Sequence, residues 1–226
     1  MISRVWVLHE GRELLKVSVN GVANGDIEGE SREAMESALS ALIEAGFHDD
    51  HIVRSRLYAR DAEARQLASN ARLSMLGGHR RAASSSYIDP ERLPMGSSIA
   101  VDLVAQRVHR PEVSKQVAEY DPIIAPPMYV ALDGMVFFSG NTDTSPEFEQ
   151  QLENIRAKID ACLTAAGTDW SRLFDFTAHV SKTIGPRRAA RGLATYFPEV
   201  ASVTISSVIG YSAPEKLVEI EVAASV

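Results

Sequence analysis

Apolar residues recur every three to four positions in several stretches of the chain and alternate with polar ones between them. That pattern predicts helices interleaved with strands. From Ser31 to Gly46, Ala34, Ala38, Leu39, Leu42 and Ile43 share one helical face. From Glu149 to Gly167, Leu152, Ile155, Ile159 and Leu163 do the same. Each helix runs into a glycine, Gly46 or Gly167, the residue type best suited to the left-handed position just past a helix end. The spacing between these two glycines carries on through the chain. The alternating stretch His51 to Asp61 (HIVRSRLYARD) lines up with Arg172 to Lys182 (RLFDFTAHVSK). A second helical segment, Ala62 to Leu76, lines up with Pro186 to Tyr196, and closing strands run from Ser97 to Gln106 and from Lys216 to Ser225.

Each half also opens on a hairpin-like pair of strands. In the second half Asp133-Gly134 supplies the two-residue turn. The order β-β-α-β-α-β-β therefore occurs twice, and a chain written twice must be read as repeats before anything else. The expected organisation is a first repeat over 1–110, a linker over 111–122 and a second repeat over 123–226. Pro111, Glu112, Lys115, Glu119 and Pro122 give the linker the composition of a solvated connector. The fold class is α+β, each half a mixed sheet with two helices on one face. The other face of each sheet is left bare. Burying it against another repeat, within the chain or in an oligomer, is the simplest remedy.

Composition narrows the classes. With 226 residues, 45% of them hydrophobic, the chain can form one large domain or two small ones. A net charge of −7 argues against a nucleic-acid partner. No apolar run approaches the roughly 20 residues that span a bilayer, so no membrane partner is expected. The opening MISRVWVLHEGRELLKVSVNG meets Glu10, Arg12 and Glu13 early and reads as strand rather than as an export signal. Together with the single cysteine, Cys162, this gives a cytoplasmic expectation. Cys162 sits mid-helix between Ile159 and Leu163 and reads as a core residue. No nucleophile elbow, P-loop, dinucleotide fingerprint or metal-ligand spacing occurs.

The second half resembles a RidA/YjgF (imine-deaminase) unit, through VFFSGN (Val136 to Asn141), LENIRAKIDACLTAAG, YFPE (Tyr196 to Glu199) and VEIEVAA (Val218 to Ala224). Asn141 departs from the usual SGQ form of the first motif. The first half keeps LYARD (Leu57 to Asp61), RLP (Arg92 to Pro94) and a degenerate closing strand, IAVD (Ile99 to Asp102). The resemblance implies two tandem RidA/YjgF-like (chorismate-mutase-like) repeats, the first degenerate. It further implies a homo-oligomer, a trimer, with ligand clefts between units, and hydrolysis of amino-acid-derived enamines and imines with no metal or organic cofactor. Its arginine, which binds the substrate carboxylate as a bidentate donor, falls on Thr204 in SVTISSV and near Ser85 in the first half. Its water-activating glutamate corresponds to Glu219, with Ala100 as the first-half counterpart.

Glu219 alternates with Val218 and Ile220, so it points away from the apolar face, and Glu221 shares its side. Two carboxylates together can raise one pKa and make a general acid or base, or can simply be salt-bridge positions. With the family arginine absent, Arg54 and Arg56 become candidates for holding a small anionic metabolite. They alternate along one strand with Tyr58 and Arg60 and stand opposite Asp175, Thr177, His179 and Ser181 of the second half. Ion pairing between the halves is the competing reading. Arg81, Ser139, Gly140, Asn141, Thr204 and Ser206 complete the substrate-binding candidates. The functional expectation is a diverged hydrolase or deaminase acting on a small anionic imine, enamine or related intermediate. A secondary-metabolism enzyme performing elimination, cyclisation or chorismate-type chemistry in the same cleft, and a non-catalytic binding or scaffold protein, are the alternatives.

Overall fold

A computed structural model describes residues 2–7, 11–110, 112–123 and 126–226. Glu10 and Pro111, both used in the sequence reading, lie outside them. The first half runs β1 (Ile2–Val7), β2 (Glu13–Asn20), α1 (Ile27–Glu44), β3 (Ile52–Ala59), α2 (Ala62–Met75), β4 (Ala83–Ile88) and β5 (Ile99–Gln106). The second runs β6 (Gln116–Ala118), β7 (Tyr129–Leu132), β8 (Met135–Phe138), β9 (Asn141–Thr142), α3 (Phe148–Ala165), β10 (Leu173–Ser181), α4 (Pro186–Tyr196), β11 (Thr204–Val208) and β12 (Val218–Ser225). The repeated order read from the sequence is present in both halves. Local signals account for the boundaries. The Asp26 side chain accepts from the N–H of Glu28 at the start of α1, and Asp61 does so from Ala64 at the start of α2. Gly46 and Gly167 both have positive φ past their helices, and Asp133 and Gly134 both do in the β7–β8 turn.

The first sheet has the order β1-β2-β5-β3-β4 and the second β11-β10-β12-β8-β7-β6, with β9 paired to β12. In each, the long antiparallel centre is closed by one parallel pair, β3 with β4 and β10 with β11. α1 and α2 cover one face of the first sheet through Ala34, Met35, Leu42, Ala64 and Ala68 against Leu15, Val17, Leu57 and Val101. α3 and α4 do the same for the second through Leu152, Ile155, Ile159 and Leu193 against Phe138, Phe176 and Ile220. The helix-free faces close on each other inside the one chain. Leu14, Val53, Ala83 and Val104 of the first sheet pack on Val130, Leu132, Met135, Phe137 and Ala223 of the second. The layers are therefore helix, sheet, sheet, helix.

Two details differ from the sequence pattern. Val53, expected on the side opposite Arg54, packs in the layer between the sheets, where the β3–β5 register shifts between Ile52 and Arg54; such a bulge turns two neighbours toward one face. The connector is not solvated throughout. β6 pairs with β7, Val113 and Val117 pack against the inter-sheet core, and Lys115 Nζ donates to the Ile52 carbonyl at 3.0 Å. Burial draws the Lys115 ammonium down to about 8. Among the described residues no helix is long and apolar enough to cross a membrane.

Candidate active site

Strand β12 carries Glu219 and Glu221 to the layer between the sheets, and both side chains are buried. They meet very different neighbours. Glu221 receives Arg56 Nε at 2.7 Å, Ser85 Oγ at 2.5 Å and the Tyr87 hydroxyl at 2.7 Å, with Arg54 Nε at 3.4 Å. Burial opposes its charge, but Arg56 and Arg54 outweigh it and hold this carboxyl well below the usual carboxylate range. Among the described residues Glu219 has only the Tyr87 hydroxyl within hydrogen-bond reach, at 3.2 Å. Burial, then the charge of Glu221, raises it to about 8 against the weaker pull of Lys216 and Arg72. One carboxyl of the pair is thus fixed as an anion, and its neighbour keeps its proton at neutrality.

Glu219 also borders a cavity of about 810 Å³, set at the β4 edge between α2 of the first half and α3 of the second. It is the only carboxylate among the described cavity-lining residues, whereas Arg65, Arg72, Arg81, Lys158 and Lys216 all line the wall. Arg72 donates to the Ser85 carbonyl at 2.5 Å, and burial lowers it to about 10. Lys216 donates to Ser212 Oγ at 2.7 Å and is lowered by burial as well. Lys158 is tied to the Thr142 carbonyl and to Asp143. Three buried polar atoms on this wall, Arg65 Nε, Ser55 Oγ and Ser69 Oγ, have no hydrogen-bond partner. Buried polar groups are normally paired, so an orphaned group on a cavity wall is one a ligand can satisfy.

The sequence candidates divide. Glu219, Gly140, Asn141 and Arg81 line the cavity. Arg81 grips Glu119 with Nε and Nη2. Ser139 lies behind the wall, where its hydroxyl accepts the Ser84 N–H at 3.0 Å and helps dock the β4 edge. The Asn141 amide donates to the Ser139 carbonyl. Gly140 is needed for close approach, because a Cβ there would fall inside the Glu219 carboxyl group. Arg54 and Arg56 do not line the cavity. Arg54 donates to Asp175 at 2.5 Å and to the Val222 carbonyl at 2.7 Å, and Arg56 is committed to Glu221. Arg54 and Asp175, 121 positions apart, hold equivalent places in the two halves. Thr204 and Ser206 sit on the outer edge strand β11 and do not line the cavity either; the matching first-half strand, β4, brings Ser85 to the carboxylates instead.

Sequence reasoning missed Arg65, Arg72, Lys216 and Tyr87. The signal for the first two was present. Seven residues apart, they fall on one face of the α2 helix that the pattern had already marked. Tyr87 lies two residues beyond Ser85 on the same face of β4. Lys216, which the sequence pattern placed at the start of the closing strand, precedes β12 in an irregular stretch.

No protein-family model matches the chain, and no curated protein does. Among solved structures, a chorismatase is similar over 95% of this chain and 75% of its own, with a TM-score of 0.64 and 13% identity. A YjgF-family member from Mycobacterium tuberculosis matches 50% of this chain over 100% of its own, with 22% identity and a TM-score of 0.45. A Rid-family protein from Yersinia pestis does so with 26% identity and a TM-score of 0.43. The chorismatase likeness and the repeated element order together show the fold: two α+β units of the same element order in tandem, arranged as in a chorismatase.

Proposed function

We propose that this protein is a hydrolase of a small anionic substrate whose reactive double bond carries a heteroatom, as in an enol ether or an enamine. The observation that carries the reading is Glu219, a buried carboxyl with raised pKa and the only acid among the described residues of a cavity wall that carries Arg65, Arg72, Arg81, Lys158 and Lys216. An acid with a pKa near the working pH is well matched to give a proton and take it back. Arg65 and Arg72 on α2, with Lys216, bind the substrate carboxylate in place of the arginine missing at Thr204. Glu219 passes its proton to the terminal carbon, and the heteroatom supplies the electron pair that leaves a cation at the neighbouring carbon. Water adds there and returns a proton to Glu219. The adduct then collapses to a carbonyl compound and a free alcohol or ammonia, a redox-neutral sequence.

The chorismatase likeness supports an enol ether over an enamine, and chorismate, with its enolpyruvyl ether and two carboxylates, is the first probe to use. Turnover of chorismate, and of 2-aminoacrylate generated in place, is followed by pyruvate release. Pyruvate from one of them faster than without enzyme, with a loss of at least about a hundredfold of that acceleration in Glu219→Gln, supports the reading. Pyruvate from neither faster than without enzyme, or an active Glu219→Gln variant, overturns it and leaves an enzyme of other chemistry in the same cleft or a non-catalytic binding protein.

A further inference from the structure

Tyr87 stands between the two carboxyl groups without reaching the cavity. Its hydroxyl lies 2.7 Å from Glu221 Oε1 and 3.2 Å from Glu219 Oε1. A phenol has one hydrogen to donate, so it serves one carboxylate at a time. The ring cannot move away. It stacks on His179 with centroids 3.9 Å apart, lies edge-on to Tyr211 at 6.2 Å and packs on Tyr58 at 5.6 Å. Only the hydroxyl hydrogen is left to rotate.

The two acceptors differ in how far they depend on that hydrogen. Glu221 has Arg56, Arg54 and Ser85 besides Tyr87, and His179 Nε2 at 3.6 Å. Among the described residues Glu219 has no hydrogen-bond donor other than Tyr87, and its charged neighbours there include Lys216, Arg72, Arg65 and Glu221 itself. While Glu219 holds its proton it needs no donor, and the shorter contact to Glu221 takes the Tyr87 hydrogen. When Glu219 gives its proton away, a carboxylate with no other hydrogen-bond donor among the described residues appears 3.2 Å from the Tyr87 hydroxyl oxygen.

We propose that Tyr87 is a positioning residue whose hydroxyl hydrogen follows the charge, resting on Glu221 and turning to Glu219 as Glu219 ionises. The cross-repeat arginines make this possible, because Glu221 stays paired when the hydrogen leaves it. The Tyr87 hydroxyl thereby stabilises the state formed after proton transfer more than the resting state, the kind of difference that accelerates a step. This role rests on Glu219 as the acid of the proposed hydrolysis, but its first test needs no substrate.

The Glu219 carboxyl is titrated by carbon NMR on glutamate-labelled, ligand-free protein, with Glu219→Gln identifying the signal. Tyr87→Phe raises the pH at which Glu219 loses its proton by about one unit, since the anion loses the Tyr87 hydroxyl donor. Ser85→Ala, which makes Glu221 hold the Tyr87 hydrogen more firmly, raises it by less. An unchanged or lowered titration point in Tyr87→Phe overturns the proposal, whether or not chorismate is turned over. With an active substrate, Tyr87→Phe lowers kcat about ten- to a hundredfold and leaves KM alone; an equal effect on KM also overturns it. Loss of turnover in Glu219→Gln without these shifts in Tyr87→Phe keeps the acid and removes the relay of charge.

Discussion

Replacing Arg54 by Met tests how the two halves are held together. Arg54 is 3% exposed and reaches from β3 into the second sheet. It donates to Asp175 Oδ2 at 2.5 Å and to the Val222 carbonyl at 2.7 Å, and its guanidinium lies 5.5 Å from the centre of the Phe137 ring. Met keeps much of the apolar stem, so the loss is electrostatic. Removing one partner of a buried ion pair costs about 3–5 kcal/mol, because the other is left uncompensated. Here Glu221, 1% exposed, loses one of its two cations, and the Val222 carbonyl loses a donor. Asp175 behaves differently: its side chain is 33% exposed, and water replaces what Arg54 gave. Asp175→Asn should therefore cost about 1 kcal/mol or less. Urea unfolding of both variants reads the asymmetry directly, and melting should fall by roughly 6–20 °C in Arg54→Met. Equal costs in the two variants, or a neutral Arg54→Met, would refute the view that Arg54 acts mainly on buried partners.

Three further outcomes follow from particular contacts. Gly140→Ala places a methyl group on the Glu219 carboxyl, so turnover should fall about a hundredfold while overpacking costs about 1–3 kcal/mol; full activity would show that Glu219 lies elsewhere. Gln151 accepts the Leu217 N–H at 2.9 Å and donates to the Ser145 and Glu215 carbonyls, so Gln151→Leu should cost about 1–3 kcal/mol in urea unfolding. Burial lowers His179 to about 4. The unfolded chain then takes up that proton first, so stability is intact above pH 6.5 and falls toward about 4, by on the order of 3 kcal/mol. Glu219 has the opposite sign: its raised pKa gives stability that is full below 4.5 and lost as pH rises through about 8. His179→Phe should flatten the acid side of the stability profile and Glu219→Gln the alkaline side; unchanged slopes would contradict these assignments.

The fold was legible in the sequence because each element announces itself locally. The helices α1 and α3 carry an apolar stripe and stop at Gly46 and Gly167, and β3 and β10 alternate beyond the bulge near the start of each. The site was only half legible. Glu219 and Glu221 fall on one side of a strand by simple alternation, and the basic stripe of Arg54 and Arg56 faced its acidic counterpart as ion pairing predicts. What alternation could not give was the partner of each charge. Arg56 found Glu221 rather than open space, while Arg65 and Arg72, read only as part of a helix, reached the cavity. That outcome depends on how α2 and α3 flank the β4 edge, a relation between residues of different halves. Gly140, a substrate-binding candidate in the sequence, gives close approach to the Glu219 carboxyl beside it.

The most direct measurement is the source of the new hydrogen in the product. Chorismate is hydrolysed in heavy water, with the pyruvate trapped at once as lactate so that its methyl group cannot exchange. If Glu219, equilibrated with solvent, protonates the terminal carbon, each methyl group carries one deuterium and Glu219→Gln yields no pyruvate. A methyl group without deuterium, or the same labelled product from Glu219→Gln, would show that the proton comes from the substrate or from another residue and would contradict the account.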